Sequence, residues 1–86
     1  MERHYKISLE INSKKDKTIC ERGLIGLSKD SELYIMSPDG EKIMYQYKHA
    51  RVIEISSHVI AFEGFEEVHK YNVIYFKHRR IFCVYT

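Results

Sequence analysis

The residues of this 86-residue chain whose types suit chemistry are five histidines, two cysteines and a cluster of glutamates. His4, His49, His58, His69 and His78 are never spaced as a zinc-ligand run requires, and neither Cys20 nor Cys83 has a near partner. No metal site and no cofactor are therefore expected. His78 precedes Cys83 across an expected turn, which would permit a cysteine–histidine dyad. Cys83, however, stands among alternating apolar neighbours, the setting of a structural thiol rather than a reactive thiolate. Glu63, Glu66 and Glu67 cluster around Gly64, where carboxylates can act as acids and bases, but the pattern is that of an exposed acidic loop. Nothing groups a nucleophile, a base and an orienting residue, so the chain is not expected to be an enzyme.

Two basic corners offer a different chemistry. Lys48, His49 and Arg51 form one, and Lys77, His78, Arg79 and Arg80 form the other, with Tyr45, Tyr47, Tyr71, Tyr75 and Tyr85 near them in sequence. Small barrels grip single-stranded nucleic acid with basic loops beside aromatic rings. Lys48, Arg51, Arg79 and Arg80 are accordingly the candidate anion-binding residues. The 14 basic and 12 acidic side chains leave only +2, without the basic excess that phosphate contacts require. A small nucleic-acid-binding barrel is thus the second reading.

The elements that must position these residues read as strands throughout. Arg3–Ile11 alternates, with Tyr5, Ile7, Leu9 and Ile11 on one side and polar residues on the other, the pattern of a half-buried strand. Asn12–Lys17 is polar and lysine-rich and reads as a solvated loop. Gly23–Leu27 reads as a strand whose glycines mark a bulge or a close backbone approach. Glu32–Met36 and Lys42–Lys48 flank Ser37-Pro38-Asp39-Gly40, where proline, aspartate and glycine each favour a tight turn, so these strands form a hairpin. Val52–Ser57 alternates with Ile53 and Ile55 inward, and His58–Phe65 follows after a reversal at Ser56-Ser57-His58. Gly64–Lys70 reads as a loop, the one place for a helical turn. Asn72–Lys77 and Arg80–Tyr85 read as the last two strands, joined at His78-Arg79. The expected fold is therefore all-β: one domain over residues 1–86, a small antiparallel β-barrel or roll of about seven or eight strands with little or no helix.

Two cysteines and an N-terminus lacking an apolar export segment favour a reducing, cytoplasmic compartment. No window approaches the roughly 20 apolar residues of a membrane span.

The order of these strands resembles pleckstrin-homology-like domains, nearest to phosphotyrosine-binding domains and the bacterial pleckstrin-homology-like families. The resemblance runs over Leu24–Tyr85. It rests on Leu33, Ile35 and Ser37-Pro38-Asp39-Gly40, then Ile43, Tyr45 and Tyr47, then Arg51-Val52-Ile53-Glu54-Ile55, and finally Val73–Phe76 and Ile81–Tyr85. It implies a peptide-binding sheet edge at Arg51–Ser57, or phosphoinositide contacts from Lys29, Lys48 or Arg51. The C-terminal helix that closes one barrel end in those domains has no counterpart before Thr86.

The last two strands are apolar on both faces, a property of strands covered on both sides. Ile74, Phe76, Phe82 and Val84 are the residues expected to meet a partner, most simply a second copy in a two-fold dimer. Alternatively, Glu63–Tyr71 folds over them. The leading expectation is a non-catalytic interaction module that binds a protein partner or itself through an apolar β surface.

Overall fold

Tyr5, Ile7 and Leu9 share one face of a strand, and burying that face sets the sheet's phase: Ile7 and Leu9 are buried. In the computed structural model, which describes residues 3–11 and 14–86, six strands follow in order. They are β1 (Tyr5–Ile11), β2 (Lys14–Leu27), β3 (Leu33–Met36), β4 (Ile43–Ile55), β5 (Val59–Lys70) and β6 (Val73–Tyr85). All pairings are antiparallel between sequence neighbours, and β6 returns to β1, so the strand order closes into a barrel ring. No helix occurs among the described residues, and none is therefore long and apolar enough to cross a membrane.

The all-β antiparallel expectation holds, but there are six strands instead of seven or eight. Two expected breaks are continuous strand. The basic corner at Lys48–Arg51 is a bulge inside β4: His49 adopts φ 53°, the register slips between Lys48 and Arg51, and both Tyr47 and Ala50 end up buried. A bulge adds one residue to one strand and bends it without ending it. A second slip between Val52 and Glu54 resets the phase, leaving Ile55 exposed where alternation had placed it inward. Likewise His78-Arg79 lies within β6 and pairs with Phe65 and Gly64.

Two expected loops are also strand. Lys14–Lys17 opens β2, while Asn12 and Ser13 lie outside the described residues. Gly64–Lys70 is the second half of β5, each residue paired with β6 out to Lys70↔Val73. The connection is Tyr71-Asn72 with φ 53° and 60°, the two left-handed residues of a type I′ hairpin turn.

The Ser37–Gly40 turn forms as expected. Gly40 has φ 75° and its N–H donates to the Ser37 carbonyl at 2.8 Å. The Asp39 carboxylate accepts from Ser37 Oγ at 2.5 Å and from the Glu41 N–H at 3.0 Å. Those bonds, Ser37's first, hold the Asp39 carboxyl below its ordinary pKa.

Inside the ring, Ile7, Leu33, Ile35, Tyr47, Ile81 and Cys83 form the sealed centre. Gly23 is required where β2 bends from β1 toward β3. A Cβ there would stand 2.8 Å from the Met36 carbonyl oxygen and 2.9 Å from Cys20 Sγ. Cys20 and Cys83 are both buried and free, each paired across a strand with Ile7 on opposite sides. Two strand spacings separate them by about 10 Å, beyond the reach of a disulfide.

Candidate interaction surface

The β5–β6 ladder runs on past the ladders to its neighbours. β1 pairs with β6 only as far as Glu10↔Arg80, and β4 pairs with β5 only as far as Lys48↔Phe65. Beyond those points Glu66–Lys70 and Val73–Lys77 continue as a two-stranded ribbon, paired from Glu66↔Lys77 to Lys70↔Val73. At about 3.4 Å per residue this arm extends roughly 17 Å. Among the described residues no strand pairs with either edge.

Alternation puts apolar groups on both faces of the arm. Ile74 and Phe76 lie on one face, opposite His69 and Glu67. Val73 and Tyr75 lie on the other, Tyr75 opposite Val68. Tyr71 tips the turn. Exposure across Tyr71, Val73, Ile74, Tyr75 and Phe76 runs from 39% to 85%. An isolated two-stranded ribbon is at best marginally stable, so this is apolar surface in search of cover.

The root of the arm is held by charge. Glu63 on the outer face of β5 accepts from the Arg51 guanidinium, and His78 Nε2 lies 3.1 Å from its other oxygen. Burial alone would push the Glu63 carboxyl up. The hydrogen bonds from Arg51 and His78 together outweigh that and hold it below the usual glutamate value. Arg79 Nε donates to Glu66 at 3.0 Å, and Lys48 Nζ lies 3.7 Å from Glu67 while standing over the Phe76 ring. Phe65 packs edge-on between His49 and His78. Gly64 makes room at the crossing: a Cβ there would meet Tyr47 Cβ at 3.1 Å.

The four residues expected to self-associate do lie on one face of β6, but the structure divides them. Ile74 and Phe76 are on the arm, while Phe82 and Val84 are on the barrel wall beyond His78 and Arg80, Phe82 half-buried and Val84 exposed. The candidate anion-binding residues are not gathered into one patch. Lys48, Arg51 and Arg79 each face a carboxylate, and Arg80 is exposed opposite Glu63 and Glu10. The conceivable Cys83–His78 dyad does not form. Their odd and even positions on β6 put the thiol in the core and the imidazole outside, and burial raises the Cys83 thiol to about 12. Among the described residues no cluster of histidine, cysteine and acid side chains could hold a metal ion. The edge at Arg51–Ser57 pairs with β5 on one side as far as Ile55 and lies beyond the end of the β3 ladder on the other.

Val68, Tyr71, Val73 and Tyr75 belong to this surface but were not among the residues expected to meet a partner. The signal that would have found them is Asn72, a residue tolerant of positive φ, with pairing residues running outward from it on both sides. No family model, curated protein or solved structure matches the chain.

Proposed function

We propose that this domain is a non-catalytic interaction module whose docking element is the β5–β6 arm, and that it docks on a second copy of itself. The observation that carries this reading is the pair of exposed apolar faces on a ribbon whose edges pair with no strand among the described residues. The β6 edge beyond Arg80 offers unpaired backbone groups to an antiparallel copy, and a two-fold axis would bury Ile74 and Phe76 twice over. Charged neighbours on the ribbon, Glu66, Glu67, Lys70 and Lys77, restrain open-ended edge pairing and favour one closed contact. Nucleic-acid binding ranks second because Lys48, Arg51 and Arg79 are occupied by carboxylates. Light scattering at micromolar concentration tests the reading. A dimer is expected that Ile74→Glu or Phe76→Glu converts to monomer, whereas Ile43→Glu, exposed on β4 and off the arm, leaves it intact. A monomeric wild type overturns self-association, and tight, steeply salt-dependent binding to single-stranded nucleic acid would promote the second reading.

A further inference from the structure

At the barrel end where both described termini lie, the wall is open. β3 pairs with β4 only to Leu33↔Tyr47; the Ala50 N–H then donates to the Ser31 carbonyl at 2.7 Å, and the two bulges turn β4 away. The gap is a chamber of about 390 Å³, inside the size range of small-molecule sites. Its walls are Leu24, Ile25 and Leu27 of β2 against Val52, Ile60 and Phe62 of β4 and β5, with Met36 beside them. Among the described residues the only charged side chain on its lining is Arg3, next to Tyr5.

A second hollow of about 70 Å³ adjoins it, sharing Arg3, Tyr5 and Ile60. This one is mixed: Ser56, Ser57 and His58 line it together with Ile55, Val59 and Tyr85. Arg3 therefore stands on the boundary between a greasy chamber and a small hydroxyl- and imidazole-bearing one. The exposed Arg3 side chain has its guanidinium carbon 5.2 Å above the Tyr85 ring. Arg51 and Arg79 each donate to a carboxylate; among the described residues no carboxylate pairs with Arg3.

We propose that this end of the barrel binds a single-chain amphipathic carboxylate, its hydrocarbon tail in the chamber and its headgroup on Arg3. A planar guanidinium matches a carboxylate through two parallel hydrogen bonds. The headgroup hollow is small, and a free acid is the simplest head that fits it. The chamber's volume lies in the range that accepts a small-molecule-sized hydrocarbon tail. The site is remote from the arm and independent of any dimer.

Calorimetric titration with decanoate below its micelle concentration, alongside decanol and acetate, tests this. Decanoate is expected to bind saturably, decanol about tenfold more weakly, and acetate not at all. Arg3→Gln should bring decanoate down to the affinity of decanol without changing decanol itself. Leu27→Glu or Val52→Glu, both at exposed positions on the chamber wall, should abolish binding of both chains while Phe76→Glu on the arm abolishes neither. Absence of saturable decanoate binding overturns the proposal, as does capture by phosphatidylglycerol vesicles in place of the free acid. Equal affinity for decanoate and decanol in the wild type overturns the headgroup assignment to Arg3.

Discussion

One strand, β6, serves two regions that differ in almost every physical respect. Its second half, Ile81 to Tyr85, runs between β1 and β5, and its inward residues Ile81 and Cys83 are fully buried. Its first half, Val73 to Lys77, has β5 alone for company, and there four large apolar side chains stay in water. The residue types scarcely change along the strand; what changes is the number of neighbouring strands. In the barrel each strand has two partners and an interior to face, so alternation yields a core. On the arm the same alternation yields two open faces.

This contrast can be broken most sharply by truncating one isoleucine in each region. Ile81→Ala should cost about 2–5 kcal/mol in chemical denaturation, because it empties part of a sealed interior. Ile74→Ala should change monomer stability by no more than about 0.5 kcal/mol. Comparable losses at the two sites would mean that the arm is covered within a single chain.

A smaller difference separates two of the positive-φ turns. Gly40 closes the β3–β4 hairpin of the barrel, with its φ of 75° and the Leu24 side chain 3.4 Å from where a Cβ would stand. Gly40→Val should lower global stability by on the order of 1 kcal/mol or more. Asn72→Val, at φ 60° on the arm tip, should speed amide exchange over Glu66–Lys77 and leave the barrel's melting unchanged. A drop in the barrel's melting temperature with Asn72→Val would show that arm and barrel unfold as one unit.

The smallest expected effect lies where the regions join. Glu63 is held below its ordinary pKa, so its contribution is present above the unfolded glutamate value of about 4.3 and fades as pH falls through the lower folded value. Thermal melts from neutral pH down to about pH 3 should therefore show the wild type losing its advantage over Glu63→Gln as acid is added. A gap between the two that does not vary with pH would mean that Arg51 and His78 do not favour the ionised form.

Where the sequence spoke clearly, a local pattern and its burial agreed. The alternation of Tyr5–Ile11 and the Pro38-Asp39-Gly40 turn are of that kind, and both appear as expected. Polar or basic interruptions were harder. Lys48–Arg51 and His78–Arg79 look like corners, yet a strand whose outer face meets water accepts charged residues without ending, and one left-handed His49 absorbs the phase change. The second half of β5 was hidden for a related reason. Phe65–Lys70 has no interior to face, so its residues carry little of the apolar period that marks a strand. Its pairing is dictated by β6 and by a Tyr-Asn turn that lacks the usual glycine. The surface residues on the arm were half legible: their apolar character was plain, but which of them lie beyond the barrel depends on where the β1 and β4 ladders end, a property of other segments.

The pairing of β1 with β6 carries a consequence for how the chain folds. Every other ladder joins neighbours in sequence and can zip outward from its own turn. The β1–β6 ladder instead joins Tyr5 to Tyr85, with the Thr86 N–H donating to the His4 carbonyl at 3.1 Å, so nearly the whole chain must be looped before its first hydrogen bond forms. Loop-closure entropy makes that the slow, late seam, and relative contact order rises with it. Until the seam shuts, the barrel is a curved sheet with two raw edges, and folding competes with whatever those edges meet first.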